Sequence, residues 1–508
     1  MKPAKRTALL LDDDGTNLRG RAAKGVFWTA TSNWGNELVR LVIFALLARL
    51  LAPEAFGLAA LALIFIGFTQ VIADQGLADA LVQRKHLDPM HLDSAFWMCM
   101  GFGVLLAGVL SVLAVPLALL FREDGLAPVL IALSLAIPIW SASLVQRAIL
   151  TRQMAFRSLA LRTLISITVG AIFGIGAAVL GFGVWSLVAQ HIASPIAGLV
   201  VLWRVTPWRP RFTFSVAHFR DLASFGIHIV NFRLLNYFTR RADELLVGAF
   251  LGAASLGFYT VGYRMLRMLF QLTSSLIDKV AFPLYSRLQD EPERFTRVYY
   301  KTTAFAAMVA LPAFAASLVL APEIIYMLFG PQWDEAVPVM QALTLLGVVQ
   351  FLTYLNSNVV KALGKPSWQV VIVAITAILK VITFLFAVRY GIVGVAVAAV
   401  CVGYLVAPAW YWAVNRLAPI SFVQYFAHIR GPVLASVLSG GAMLGVRQLL
   451  GDAPAAITLI AAAGAGLVVF IAAIQRFARP LADEARELIR RGLPVLGSGR
   501  AFRTQTRR

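Results

Sequence analysis

Charge is scarce in this sequence and unevenly signed. Only 14% of the 508 residues are Asp, Glu, Lys or Arg, and 25 acidic residues stand against 45 basic ones. Soluble domains carry closer to a quarter charged residues, so a water-soluble globular fold is excluded. Cysteine is nearly absent. Cys99 and Cys401 both lie inside apolar runs, where a thiol packs as a small hydrophobe, and no disulfide scaffold or zinc site is implied. No GxxxxGK[ST] loop exists to cradle a nucleotide, and no HExxH pair or Cys/His cluster exists to hold a metal, so neither a cofactor nor a metal is expected. Long hydrophilic connectors are missing as well: the longest outer one runs from about Ala321 to Glu335. That leaves no external domain in which a membrane glycosyltransferase or ligase would hold its acceptor. No cleavable signal peptide is visible, because residues 1–24 are polar and the first apolar run is full length.

What is abundant is hydrophobic sequence. Apolar residues make up 59% of the chain and the mean hydropathy is +0.78, which describes an all-α integral membrane protein. The net charge of +20 would suggest nucleic acid in a soluble protein. Here the bases are dispersed among connectors, and membrane topology accounts for them without a nucleic-acid partner. Apolar runs predict about fourteen spans, near 25–51, 56–82, 94–121, 126–149, 158–180, 182–203, 221–251, 254–285, 299–320, 335–361, 367–388, 391–414, 431–450 and 454–476. Connectors after the even-numbered spans carry the bases, including the run from Arg147 to Arg157, and the others are short or acidic. That alternation predicts that both termini are cytoplasmic.

The stretch that organises the chain is the first span. Asn33, Asn36, Glu37 and Arg40 recur there at i, i+3, i+4 and i+7, so one face of a membrane helix is polar. At about 1.5 Å per residue, Arg40 is roughly 22 Å from one end of the span and about 16 Å from the other. Facing lipid from that depth would cost about 3 kcal/mol or more, so the spacing predicts a water-filled cavity. The pattern returns 200 positions later: Asn236 matches Asn36, Arg240 matches Arg40, and Leu246, Leu251 and Gly257 match Leu46, Leu51 and Gly57. A constant offset through a polar pair, a helix end and a turn glycine predicts an internal repeat, with a substrate site at the repeat interface.

Other polar side chains join this face. In the seventh span Arg233, Asn236, Arg240, Asp243 and Glu244 share one broad face from which Arg241 points away. In the eighth, Tyr259, Tyr263, Arg267 and Gln271 form an i, i+4, i+8, i+12 stripe with Arg264 beside it. Guanidinium groups bind phosphate oxygens bidentately and aromatic faces pack on sugar rings, which suits a ligand with anionic and sugar parts. Gln341, Gln350, Asn356 and Asn358 of the tenth span add amides for hydroxyls. Structural alternatives stay open. Arg240 can pair with Asp243 or Glu244, and Glu37 with Arg40, as clasps; Tyr259 reads as an interfacial belt residue. Asp74 and Lys380 read as isolated intramembrane charges, Asp74 being a salt-bridge partner or a coupling-ion site.

The opening stretch GVFW...LARLLAPEAFGLAALALIFIGF...DQGLADALVQRK, then HLDSAFW at His91 to Trp97 and ADELLVGAFLGAASLGFYTVGYRM at Ala242 to Met265, resembles the polysaccharide flippase branch (Wzx-like, WzxC type) of the multidrug/oligosaccharidyl-lipid/polysaccharide exporter superfamily. The resemblance runs from Gly25 to about Phe477. It implies two six-helix lobes in a V shape in the bacterial inner membrane. By alternating access they would carry an undecaprenyl-diphosphate-linked oligosaccharide to the periplasmic leaflet, among membrane lipids and alongside a polysaccharide polymerase and a chain-length regulator. The family's cationic cavity would map onto Arg40, Arg240, Arg264 and Arg267, with Asp243 as its acidic residue. The expected division is a cytoplasmic tail and surface helix (1–24), an N-lobe (25–203), a cytoplasmic linker (204–220), a C-lobe (221–415), two further helices (431–476) and a basic cytoplasmic tail (477–508). A peptidoglycan-precursor flippase, a drug/cation antiporter of the same superfamily and, more remotely, a membrane glycosyltransferase are the alternatives.

Overall fold

A computed structural model describes residues 35–74, 76–84, 87–278, 285–451 and 453–490, and among these every regular element is helical. Lipid offers the backbone no hydrogen bonds, so an apolar run must satisfy its own amides, and the helix is the local solution. The elements are α1 (residues 35–50), α2 (Pro53–Asp74), α3 (Leu77–Gln83), α4 (Pro89–Phe121), an interrupted α5 (Leu126–Arg152), α6 (Phe156–Val179) and α7 (Val184–Val205). The helix Val216–Asp278 is broken at Gly252 into α8 and α9. There follow α10 (Pro292–Val319), α11 (Ala321–Leu328), α12 (Ala336–Ala362), α13 (Pro366–Ala387), α14 (Gly391–Leu417), α15 (Phe422–Leu450), α16 (Ala455–Phe477) and α17 (Arg479–Arg490).

Eleven stretches of the described residues are long and apolar enough to cross a membrane. Two of them, Arg233–Gln271 and Pro366–Leu417, run to 39 and 52 residues, well beyond the 20 or so that one crossing needs. Each is interrupted by a glycine with positive φ, Gly252 at 83° and Gly391 at 73°. Residues with a Cβ rarely adopt that conformation, so the glycine marks where the helix turns. Glu123 stabilises the first break by accepting a 2.6 Å hydrogen bond from the Ala253 N–H. The expected span 56–82 likewise divides at Gly76, φ 66°, into α2 and α3. Asn33 and the tails 1–24 and 491–508 lie outside the described residues.

The chain forms two compact units: Met1–Thr260 with Leu328–Trp333 and Ala377–Val395, and Val261–Met327 with Asp334–Thr376 and Ala396–Arg508. In the first, helices approach through small residues, as expected where lipid removes the hydrophobic drive for helix association. A Cβ on Gly174 would lie 2.9 Å from Gln190, and one on Gly198 2.6 Å from Ser166. The expected linker is not a loose strand. Asp93, near the start of α4, accepts from the Arg211 amide (3.2 Å) and the Thr213 hydroxyl (3.0 Å), and Ser94 Oγ accepts from the Ser215 amide (3.0 Å). Trp97 stacks on Phe212 at 4.8 Å, and Trp208 is buried with Leu81, Phe96 and Ile149.

In the second unit α15 pairs with α16, where the Ser439 hydroxyl donates to the Gly466 carbonyl at 2.8 Å and a Cβ on Gly466 would meet Met443 at 2.2 Å. Gly441, Gly445 and Gly464 have nothing within 4 Å of a notional Cβ, so only part of the small-residue pattern is packing. The connector after α10 begins with α11 and is followed by a short turn at Pro331–Trp333, which is counted with the first unit. Within α11, Glu323 is buried and accepts from Arg447 Nε at 2.7 Å.

Candidate functional site

The charged residues of the first unit fall into two groups. The first surrounds the end of α2. Arg233 donates to Asp74 Oδ2 at 2.5 Å with both side chains partly open, so Asp74 is not an isolated charge. Arg147 of α5 stands within electrostatic range of Asp74, Arg162 of α6 within range of Arg147 and Arg40, and His191 of α7 within range of Arg40. Arg40 itself is exposed. It lies on the side of α1 opposite the exposed apolar stripe Leu38, Val42 and Leu46, and is flanked by buried Glu37, Ile43 and Leu47. An accessible guanidinium on the protein-facing side of a membrane helix lines a space between helices rather than lipid. Arg162 Nε has no hydrogen-bond partner among the described residues.

Sequence reasoning placed Arg147 in a cytoplasmic connector and passed over Arg162. The structure puts both in helices, because the turn falls later, at Gln153 to Ala155, with Met154 at φ 52°. A signal was present for Arg162: it heads the series Ser166, Gly170 and Gly174 at four-residue spacing, a polar and small face that turns out to pack on α7.

The second group lies on α8, α9 and α13. Asp243 is buried, and its Oδ2 accepts a 2.8 Å hydrogen bond from the Tyr259 hydroxyl. Lys380 of α13 is buried and donates to the Thr239 carbonyl at 3.3 Å. Asp243 and Arg240 are its electrostatic neighbours. Lys380 is therefore not isolated either. Tyr259 does not sit in an interfacial belt: it is fully buried, because its hydroxyl serves the Asp243 carboxylate. Arg241 does not point away from the polar groups. It forms an ion pair with Glu244, which places Glu244 with Arg241 rather than with Arg240. Tyr237 donates to the Ile64 carbonyl at 2.5 Å, fixing α8 against α2. Beside this contact α2, α4 and α8 enclose an apolar recess of about 330 Å³ walled by Phe65, Phe68, Leu113 and Leu245, with Arg241 at its edge. Asn36 and Asn236 are half-buried and Arg240 is exposed.

The remaining candidates belong to the second unit. Arg264 and Arg267 are half-buried, Arg267 lies 4.8 Å over the Tyr263 ring, and Gln271 is exposed. Two of the α12 amides are used by the unit itself: Asn356 accepts from the buried Tyr299 hydroxyl at 2.5 Å, and Gln341 donates to the Leu318 carbonyl at 3.3 Å. They serve packing, not a cavity wall. Among the described residues no group of three His, Cys, Asp or Glu could hold a metal ion.

A chain with this arrangement has known relatives. The family described as "Polysaccharide biosynthesis protein" matches residues 46–338. The succinoglycan biosynthesis transport protein ExoT of Rhizobium meliloti (strain 1021) is 30% identical over 491 residues, 93% of this chain and 97% of that one. The lipopolysaccharide biosynthesis protein WzxC of Escherichia coli (strain K12) is 23% identical over 340 residues, covering 66% and 68%. Among solved structures, the lipid II flippase MurJ in an inward closed conformation superposes with a TM-score of 0.75 at 15% identity, covering 90% of this chain and 99% of that one.

Proposed function

We infer the role of these two charge groups from one premise: the chain belongs to the polysaccharide biosynthesis protein family. It is a multi-pass membrane transporter, not an enzyme, and acts as a flippase for lipid-linked oligosaccharide in polysaccharide biosynthesis. The lipid is an undecaprenyl diphosphate, the membrane is the bacterial inner membrane, and both termini are cytoplasmic. A polysaccharide polymerase and a chain-length regulator act on the product beyond it.

The observation that carries the site reading is an excess of positive charge. Arg162 stands within repulsive range of both Arg147 and Arg40, with His191 within range of Arg40. The acidic group in range of Arg147 is Asp74, which Arg233 already engages. Guanidinium groups held together in a membrane protein are stabilised by an anion with several acceptor oxygens, and a diphosphate supplies them. The polyprenyl chain stays in the bilayer while the diphosphate enters among these side chains. Arg240, Asn36 and Asn236 extend the polar lining toward the sugars, and Arg264, Arg267, Tyr263 and Gln271 offer the same chemistry in the second unit. Glu37 is a structural partner on the Arg40 helix. The internal repeat at 25–203 and 221–415 supplies the two halves that exchange access by rocking.

The test is export of the cell's own polysaccharide by Arg40→Gln/Arg162→Gln at matched protein level. Loss of export with accumulation of lipid-linked oligosaccharide on the cytoplasmic side is expected. Full export would discard the assignment. Because a lipid II flippase has this fold, rescue of a strain depleted of its own peptidoglycan-precursor flippase is the companion experiment, and no rescue is expected.

A further inference from the structure

Burying a carboxylate and an ammonium in one membrane protein is costly unless their geometry leaves no bonding capacity unmet. Asp243 and Lys380 do not meet that condition. The carboxylate is 1% exposed and the lysine 7%, so water does not make up the difference. Oδ2 of Asp243 is engaged by Tyr259 and the Glu244 N–H stands near the carboxylate, whereas Oδ1 makes no hydrogen bond of good geometry among the described residues. Lys380 Nζ has three protons to donate, and among the described residues the hydrogen bond it makes is to the Thr239 carbonyl, one turn before Asp243 on the same helix. A structural clasp would bring the ammonium onto the bare oxygen. Here the two charges face each other at electrostatic range with one oxygen left bare.

We propose that Asp243 and Lys380 form a proton-binding site, in which a proton from water adds to Oδ1 of Asp243 and a substrate anion takes over the carboxylate's place as counter-charge to Lys380. One O–H bond forms on protonation and the same bond breaks on release; no other bond changes. The ionised pair carries no net charge. After protonation Lys380 and its neighbour Arg240 are both uncompensated, and a diphosphate near the exposed Arg240 stabilises that state. By linkage the anion then raises the site's affinity for the proton, and the proton raises its affinity for the anion. The other charged or titratable groups facing the pair already have partners: Glu244 and Arg241, the latter itself within electrostatic range of Asp243, pair with each other, and the Tyr259 hydroxyl donates to Asp243 Oδ2. The pair thus gives a transporter a second, chemically distinct ligand. This inference rests on the flippase reading for what the proton is coupled to, but not for the existence of the site.

The deciding measurement is infrared difference spectroscopy of the purified full chain in lipid nanodiscs, titrated toward acid, which needs no substrate. A carbonyl band of an un-ionised carboxyl is expected to appear, to shift in D2O, to be missing in Asp243→Asn and to move in Asp243→Glu. No such band across the pH range where the protein stays folded, or the same band in Asp243→Asn, overturns the proposal. In cells, the charge-neutral double variant Asp243→Asn/Lys380→Met is expected to reach normal protein level and to lose the response of export to the proton gradient. A double variant that still exports in proportion to that gradient, as the unmodified chain does, also overturns it. The infrared band in the parent chain together with full export by Arg40→Gln/Arg162→Gln would instead count against the substrate reading alone.

Discussion

Gly57 and Gly257 pack against each other reciprocally. A Cβ on Gly57 would fall 1.6 Å from the Ala253 carbonyl oxygen, and a Cβ on Gly257 would fall 2.1 Å from that of Pro53. Ala253 stands 200 positions after Pro53, as Gly257 does after Gly57, so the two contacts are one contact seen from both sides. Such exchange of partners is what a two-fold axis imposes between identical surfaces. The start of α2 and the start of α9 therefore meet as equivalents, which is how a duplicated element would meet its copy.

At those distances the neighbour is backbone, and it cannot rotate aside. Gly57→Ala and Gly257→Ala are each expected to destabilise the protein by about 2 kcal/mol or more, the cost of forcing extra atoms into a packed contact. Thermal unfolding in detergent reads this directly. Gly176→Ala, where a Cβ meets nothing within 4 Å, is the control and is expected to leave the midpoint in place.

The two carboxylates that face α8 basic groups or α13, Asp74 and Asp243, predict different outcomes. Arg233 and Asp74 are 37% and 25% exposed at the side chain, so water screens them and Asp74→Asn is expected to cost under about 1 kcal/mol. Asp243 and Lys380 are buried. Lys380→Met alone leaves a carboxylate without its counter-charge and is expected to cost about 3–5 kcal/mol. A Lys380→Met protein as stable as Asp74→Asn would mean either that Lys380 carries no charge to lose or that Asp243 holds a proton once Lys380 is gone.

Replacing Arg162 alone by Gln is expected to lower export at least about tenfold. One charge-assisted hydrogen bond to an anion is worth about 1.5–3 kcal/mol, and a tenfold change takes about 1.4 kcal/mol. Arg162→Lys is expected to recover part of this, because a lysine keeps the charge but not the two-pronged donor. Unchanged export by Arg162→Gln at equal protein level would remove Arg162 from the site.

Glu123→Ala is expected to lower stability by about 1–2 kcal/mol through loss of the bond to the Ala253 amide at the Gly252 break, as when a helix loses its capping side chain. Gly252→Ala adds the cost of placing a Cβ at φ 83° and ψ 177°, a region essentially confined to glycine, about 1–3 kcal/mol. Both are read as shifts of the unfolding midpoint.

Asp93→Ala frees the residues from Arg211 to Thr213 that its carboxylate holds. Faster cleavage in the 206–215 segment by a protease added to inverted vesicles is expected, with little change elsewhere. Equal cleavage of both proteins would show that Trp97 and Trp208 suffice to hold this segment.

What could be read in advance divides along a physical line. The helical, many-span class was legible because lipid admits only helices here and an apolar run of 20 residues declares one. The polar face of α8 was legible because helical spacing is local. Partners were not. Asp74 and Arg233 are 159 residues apart, and Lys380 lies 141 residues from Thr239, distances over which no local periodicity carries information. Arg147 was misplaced for a different reason: a base near the end of an apolar run looks the same whether the helix stops before it or continues one more turn. The buried Tyr259 shows the converse, since a tyrosine near a span end reads as a belt residue until its carboxylate partner on the preceding helix is known.

The distance between Lys380 and Thr239 also bears on how the molecule is made. When α8 leaves the ribosome it carries Arg233, Arg240, Arg241, Asp243 and Glu244 into the bilayer. Asp74 is already waiting for Arg233, but the lysine that faces Asp243 has not yet been synthesised. A helix with that load is expensive to release into lipid, each central Arg or Asp costing about 2.5–3.5 kcal/mol on insertion scales. Segment α8 must therefore be sheltered, by the insertion machinery or by earlier helices, until α13 arrives, and ribosome-stalled chains ending before and after Lys380 should differ in whether α8 can be extracted.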